Sequence, residues 1–127
     1  MIRIYHVEDS EIVRDQLRQA LSAIPGIQLA GFAAGAPEAC RQISLHIPDV
    51  VILDLQLEEG TGWDVVNCIK TKALPVRVII LSSLASQPFR DRAAQLGLSE
   101  FFDKFMESDQ FLKTIEDLAA SRTTKPR

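Results

Sequence analysis

A doubly wound α/β sandwich, a parallel sheet covered on both faces by helices, is the fold class that the sequence predicts, and two observations predict it. Short, almost unbroken apolar runs recur along the chain, and between them lie stretches whose apolar residues return every three or four positions. Strands that are apolar on both faces and separated by helices imply parallel pairing, because each crossover must return over a face of the sheet.

Ile2 to Val7 is the first such run, and it ends abruptly at Glu8-Asp9-Ser10, as a buried strand entering a loop does. From Glu11 the period changes: Val13, Leu17, Leu21 and Ile24 mark an amphipathic helix that Pro25-Gly26 stops. Ile27 to Ala33 is a second strand. Gly35-Ala36-Pro37 then opens a helix with Ala39, Cys40 and Ile43, proline being suited to a first helical turn. Asp49-Val50-Val51-Ile52-Leu53 is a β-branched run that breaks at Asp54. A loop through Gly60-Thr61-Gly62 leads to a helix holding Val65, Val66 and Ile69. Val76 to Leu81 is a fourth strand, followed by a helix with Phe89, Ala93 and Leu96 that ends at Gly97. A brief strand, Glu100-Phe101-Phe102, precedes a last helix with Phe111, Leu112, Ile115, Leu118 and Ala119. From Ser121 onward apolar periodicity is lost, and a mobile tail is expected.

Length and composition set limits on function. A chain of 127 residues, 46% hydrophobic and 24% charged, suits one globular domain; no output module is expected in it after residue 121, so either a stand-alone regulator or the receiver part of a longer protein is expected. No run approaches the roughly 18 apolar residues of a membrane span, and acid follows the first strand before any signal-peptide core could form. A cytoplasmic protein with no membrane association is expected. Arg122, Lys125 and Arg127 lie in the last six positions, so residues 1–121 hold 11 of the 14 basic residues against 17 acidic ones, a net charge of −6. So acidic a body argues against direct nucleic-acid binding, which depends on clustered Lys and Arg. Cys40 and Cys68 show no C-x-x-C spacing, suggest neither a disulfide framework nor a zinc site, and read as small buried hydrophobes. His6 reads as a packed strand residue and His46 as a loop residue.

Ligands of an open parallel sheet bind beyond the carboxyl ends of the strands. There the first strand delivers Glu8 and Asp9, the third Asp54 and the fourth Ser82, and the loop after the fifth delivers Lys104. Singly, an acid after a strand is an ordinary turn or cap residue and a lysine an ordinary surface charge. Together they need an explanation. Carboxylates within about 4 Å repel by about 4 kcal/mol per pair at an effective dielectric near 20, so the cluster calls for a cation. Oxygen-only donors favour a hard ion, and Mg²⁺ suits a site that keeps waters. With Lys104 and the Ser82 hydroxyl added, the cluster becomes a cradle for a tetrahedral phosphoryl group on Asp54, a carboxylate able to act as nucleophile.

Glu8-Asp9, Asp54 with Gly62 eight residues on, Ser82 after an apolar strand, and Gly97-Leu98-Ser99-Glu100-Phe101-Phe102-Asp103-Lys104 together resemble the receiver domain of two-component response regulators, over about residues 2 to 120. The resemblance implies a flavodoxin-like five-stranded sheet ordered 2-1-3-4-5 with five flanking helices. The receiver would occupy residues 1–121, with 122–127 a basic mobile tail. By that likeness Asp54 is the phosphoacceptor and Glu8, Asp9 and Asp54 hold Mg²⁺ together with the main-chain carbonyl of Gln56. Lys104 and Ser82 assist the chemistry, and Ser82 and Phe101 form the switch. It further implies a signalling switch, not an enzyme, charged by a sensor histidine kinase or phosphotransfer protein and acting on a downstream effector through its fourth helix, fifth strand and fifth helix. A homodimer on phosphorylation is compatible with it. Phe105 stands where the family commonly has proline, Glu58 where many members have proline, and Phe101 replaces a frequent tyrosine. Two other readings compete: a receiver-like interaction module that works without phosphorylation, and an aspartate-nucleophile phosphatase, which would want an acid where Gln56 stands.

Overall fold

The computed structural model describes residues 1–124. Ten elements alternate: β1 (Ile2–Val7), α1 (Glu11–Ser22), β2 (Ile27–Ala33), α2 (Ala36–His46), β3 (Val50–Leu53), α3 (Gly62–Thr71), β4 (Arg77–Ser82), α4 (Gln87–Gln95), β5 (Phe101–Asp103) and α5 (Ser108–Thr124). The strands form one parallel sheet in the order β2-β1-β3-β4-β5, the doubly wound arrangement expected from the sequence.

Successive strand residues point to opposite faces, and two cores result. Tyr5, Val7, Val51, Leu53, Val78 and Ile80 meet Ala36, Ala39 and Ile43 of α2, Val65, Val66 and Ile69 of α3, and Ala93 of α4. Their neighbours in sequence, Ile4, Ile52, Ile79 and Leu81, turn the other way onto Leu21 of α1 and Phe111, Ile115 and Ala119 of α5. Each fully buried Val or Ile contributes about 1.5–3 kcal/mol relative to exposure. The central strands β1, β3 and β4 therefore fix the frame on which the loop residues are carried.

Local signals set the helix starts. The Ser10 side chain accepts a bond from Val13 N and caps α1. Thr61 and Asp64 form a reciprocal capping box at α3, and proline lies in the first turn of both α2 and α4.

Four expectations need correction. Though apolar in composition, β2 is not buried on both faces. As an edge strand with no neighbour beyond it, it leaves Phe32 58% exposed. A helical end is also visible in α5, which runs on through Thr124 where a tail was expected from residue 121; residues 125–127 lie outside those described. His46 closes α2 instead of lying in a loop. Finally, Cys40 and Cys68 are joined in a disulfide between α2 and α3 with their Cα atoms 6.1 Å apart. Both are half-buried at the helix surfaces, not core residues. Among the described residues no helix is long and apolar enough to cross a membrane.

Candidate functional site

The carboxyl ends of β1, β3 and β4 carry the chemistry. Backbone bonds set their relative height: Asp54 N donates to Val7 O at 3.0 Å and Lys104 N to Ser82 O at 3.0 Å. Glu8 and Asp54 are buried, 1% and 4% exposed, while Asp9 is open to solvent. One carboxylate oxygen from each of Glu8, Asp9 and Asp54 lies within 4.8 Å of the others.

Lys104 occupies the centre. Its ammonium donates to Glu8 Oε1 and Asp54 Oδ2, both at 2.7 Å. The other Asp54 oxygen, Oδ1, accepts from Ser82 Oγ at 2.8 Å and from Gln56 N at 3.2 Å. Ser82, wholly buried, takes a bond from Leu84 N at 3.1 Å. Glu8 Oε2 accepts from Ser10 N at 3.0 Å, and Arg14 donates to the Glu8 carbonyl at 2.8 Å. The loop after Asp54 folds tightly because a Cβ on Gly62 would stand 2.4 Å from Asp54 O and 2.9 Å from Leu55 Cα. Only glycine permits that approach.

Burial raises the Glu8 pKa to about 7, more than the bonds from Lys104 and Ser10 lower it, and the nearby Asp54 charge pushes in the same direction as burial. For Lys104 burial disfavours the charge, but the bonds to Asp54 and Glu8 outweigh it and raise the pKa above the usual lysine value. His6, beneath the site and 8% exposed, falls to about 4 through burial and the neighbouring Lys104 and Arg14 charges. It is a neutral packing residue, as the sequence suggested.

Glu8, Asp9, Asp54, Ser82 and Lys104 thus lie together at the strand ends, with the Lys104 side chain largely enclosed among them. Three carboxylates face one ammonium, and all the available donors are oxygens. That donor set fits a hard divalent cation such as Mg²⁺. Phe101 lies farther off, half-buried against the core under α4. Phe105 and Met106, 72% and 80% exposed, turn out from a bend that the Asp103 side chain caps by accepting from both their N–H groups.

No motif or spacing singles out Arg90. Its guanidinium donates to Ala85 O at 2.8 Å, Phe101 O at 3.3 Å and Glu107 Oε1 at 2.7 Å, and lies 5.0 Å from the centre of the Phe101 ring. It thereby joins α4, β5 and the start of α5. Arg92 covers the Trp63 ring in the same manner, at 4.5 Å, between α4 and α3.

Fold and site together define an α/β domain with an acidic pocket at its strand ends, closed by a lysine and a hydroxyl. A family model described as the response regulator receiver domain matches residues 4–116, and the chain belongs to that family, the receiver domains of two-component systems. It is 28% identical over 123 residues to the DNA-binding transcriptional activator DevR/DosR of Mycobacterium tuberculosis, covering 97% of this chain and 57% of the relative. Over 121 residues it is 33% identical to protein-glutamate methylesterase/protein-glutamine glutaminase 3 of Leptospira interrogans, covering 88% and 35%. The chain therefore spans about half or less of the length of these relatives. Among solved structures it resembles the signal receiver domain of the response regulator NarL from Mycobacterium tuberculosis, with a TM-score of 0.83, 26% identity and coverage of 95% and 98%. The non-phosphorylated receiver domain of HemR from Leptospira biflexa gives a TM-score of 0.82 at 28% identity, with coverage of 100% and 99%.

Proposed function

We propose that Asp54 is the acceptor in a phosphorylation-dependent signalling switch, charged by a phosphohistidine on a sensor kinase or phosphotransfer protein. The observation that carries this is the setting of Asp54: a buried carboxylate with one oxygen bonded to Lys104 and the other to Ser82. An Asp54 oxygen attacks phosphorus, the P–N bond to the donor histidine breaks, and the freed ring nitrogen keeps its electron pair. Bound Mg²⁺, held by Glu8, Asp9, Asp54 and the Gln56 carbonyl, would supply positive charge to the phosphoryl oxygens. Lys104, already beside Asp54, neutralises a further oxygen, and positioning with charge neutralisation supplies most of such catalysis.

The geometry supports a switch built on Ser82 and Phe101. Once Asp54 carries a phosphoryl group, Ser82 Oγ turns its donor from Oδ1 to a phosphoryl oxygen and gives up its present place. Phe101, half-buried on the same core, moves into the space. Because Arg90 ties Phe101 to α4 and to Glu107, the movement would be felt across α4, β5 and α5, the surface proposed to meet the effector. The chain catalyses only its own phosphorylation and dephosphorylation in this reading. Gln56 offers an amide where an aspartate-nucleophile phosphatase would need an acid.

The test is intact-mass measurement after incubation with a small acyl phosphate and Mg²⁺. The wild-type chain is expected to gain one phosphoryl group and Asp54→Asn none. A wild-type mass that stays unchanged would favour the phosphorylation-independent module instead.

A further inference from the structure

The two cysteines of the chain are paired across α2 and α3, away from the acidic pocket. Their surroundings suit exchange chemistry. Both are half-buried, so a small thiol or disulfide can reach them. The Ser44 hydroxyl lies 3.9 Å from Cys68 Sγ and accepts a bond from the Lys72 ammonium at 3.0 Å. The Ser44 hydroxyl proton is held by the Cys40 carbonyl at 2.6 Å, so in the reduced chain it is the Lys72 cation, one hydroxyl removed from Cys68, that favours a thiolate there, the form that attacks disulfides.

The pair also spans two helices whose first residues both bond to one loop. At the head of α2, Ala36 N donates to Glu59 O at 2.8 Å; at the head of α3, Gly62 N donates to Leu55 O at 3.0 Å. Residues 55–61, which follow Asp54, are therefore held by both helices that the disulfide joins.

We propose that Cys40 and Cys68 are a reversible redox pair, oxidised by a low-molecular-weight disulfide of the glutathione type, whose closed form clamps α2 to α3 and stiffens the loop after Asp54. The Cys68 thiolate attacks one sulfur of the oxidant, whose S–S bond breaks and releases one thiol. The Cys40 thiolate then attacks Cys68 Sγ in the mixed disulfide and expels the second. The two cysteines lose two electrons and two protons, and the oxidant gains them as two thiols. This holds whether or not Asp54 accepts a phosphoryl group.

The chain is equilibrated in buffers of graded reduced-to-oxidised glutathione ratio, its free thiols are alkylated, and intact mass is measured. Alkylation is expected to pass from two groups to none in a single step within one monomer, and to return when reduced glutathione is restored. The closed form should melt about 10 °C higher, because the bond ties residues 28 apart, and its amides at 55–62 should exchange more slowly. Lys72→Met, a change on the helix surface, should slow closure several-fold. The proposal is overturned if oxidation stops at a single mixed disulfide or links two chains, or if reduced glutathione fails to reopen the bond. It is equally overturned if closure leaves exchange at 55–62 unchanged. An unaltered closure rate in Lys72→Met would remove the lysine from the account.

Discussion

Replacing Lys104 by methionine removes the one ammonium that the described residues place in the acidic pocket while keeping most of the stem's bulk. Lys104 is 11% exposed, and its two partners are 1% and 4% exposed, so water screens these pairs poorly. At 2.7 Å and an effective dielectric near 20, each pair has about 6 kcal/mol of Coulomb attraction. Desolvation of the charges offsets much of it, and breaking a buried pair by removing one partner typically costs about 3–5 kcal/mol. For a chain of this size that lowers Tm by roughly 10–20 °C. The expected result, from thermal melts followed by circular dichroism with a chelator at pH 8, is a loss of that order. Mg²⁺ should restore part of it, since a divalent ion replaces the missing charge. The loss should shrink at pH 5, where Glu8, with a pKa near 7, is protonated. Because the folded chain holds this proton to higher pH than the unfolded chain, Glu8 ionisation itself favours unfolding. Its contribution is most favourable below the ordinary glutamate value of 4.5 and declines up to about pH 7. A Lys104→Met chain as stable as wild type at pH 8 without metal would refute the charge balance drawn for this pocket.

Two further outcomes follow from the same geometry. In the proposed metal site Mg²⁺ takes Glu8 as a carboxylate, so its affinity should weaken as pH falls below about 7, approaching tenfold per unit; titrations read by fluorescence of Trp63, next to Gly62, would measure this, and a flat profile from pH 5 to 8 would contradict it. Gly62→Ala places a methyl group against the Asp54 carbonyl and should cost about 1–3 kcal/mol in urea unfolding while slowing Asp54 phosphorylation; a neutral effect on both would show that the loop yields easily.

Most of the sheet and nearly all of the pocket could be read from the chain because their signals are local. Each acid stands directly after an apolar run, and the strand ends of a doubly wound sheet converge whatever the loops do. What escaped reading depends on how distant pieces meet. Glu8 and Asp9 are adjacent acids, yet only Glu8 is buried, because the turn into α1 directs one side chain under Lys104 and the other to solvent. The apolar letters of β2 gave no warning that it lies at an edge. Pairing of Cys40 with Cys68 required knowing that α2 and α3 cross the same face of the sheet and in which rotational phase. Arg90 reaches partners 11 and 17 residues away, and no pattern within α4 announces them.

The bulge that departs from regular pairing in the sheet bears on how copies of the chain treat one another. Ile4 pairs with Leu29 but Tyr5 with Gly31, so Ala30 is an extra residue in β2, and Gly31 takes a φ of +147° above the Tyr5 ring. A straight outer strand would offer its free N–H and C=O groups as a template for a strand from another molecule. Here the added residue bends and twists that row, and Arg14 stacks over the exposed Phe32 ring at its end. The irregularity leaves the edge badly matched to an incoming strand, which works against growth of the sheet from this side into an aggregate.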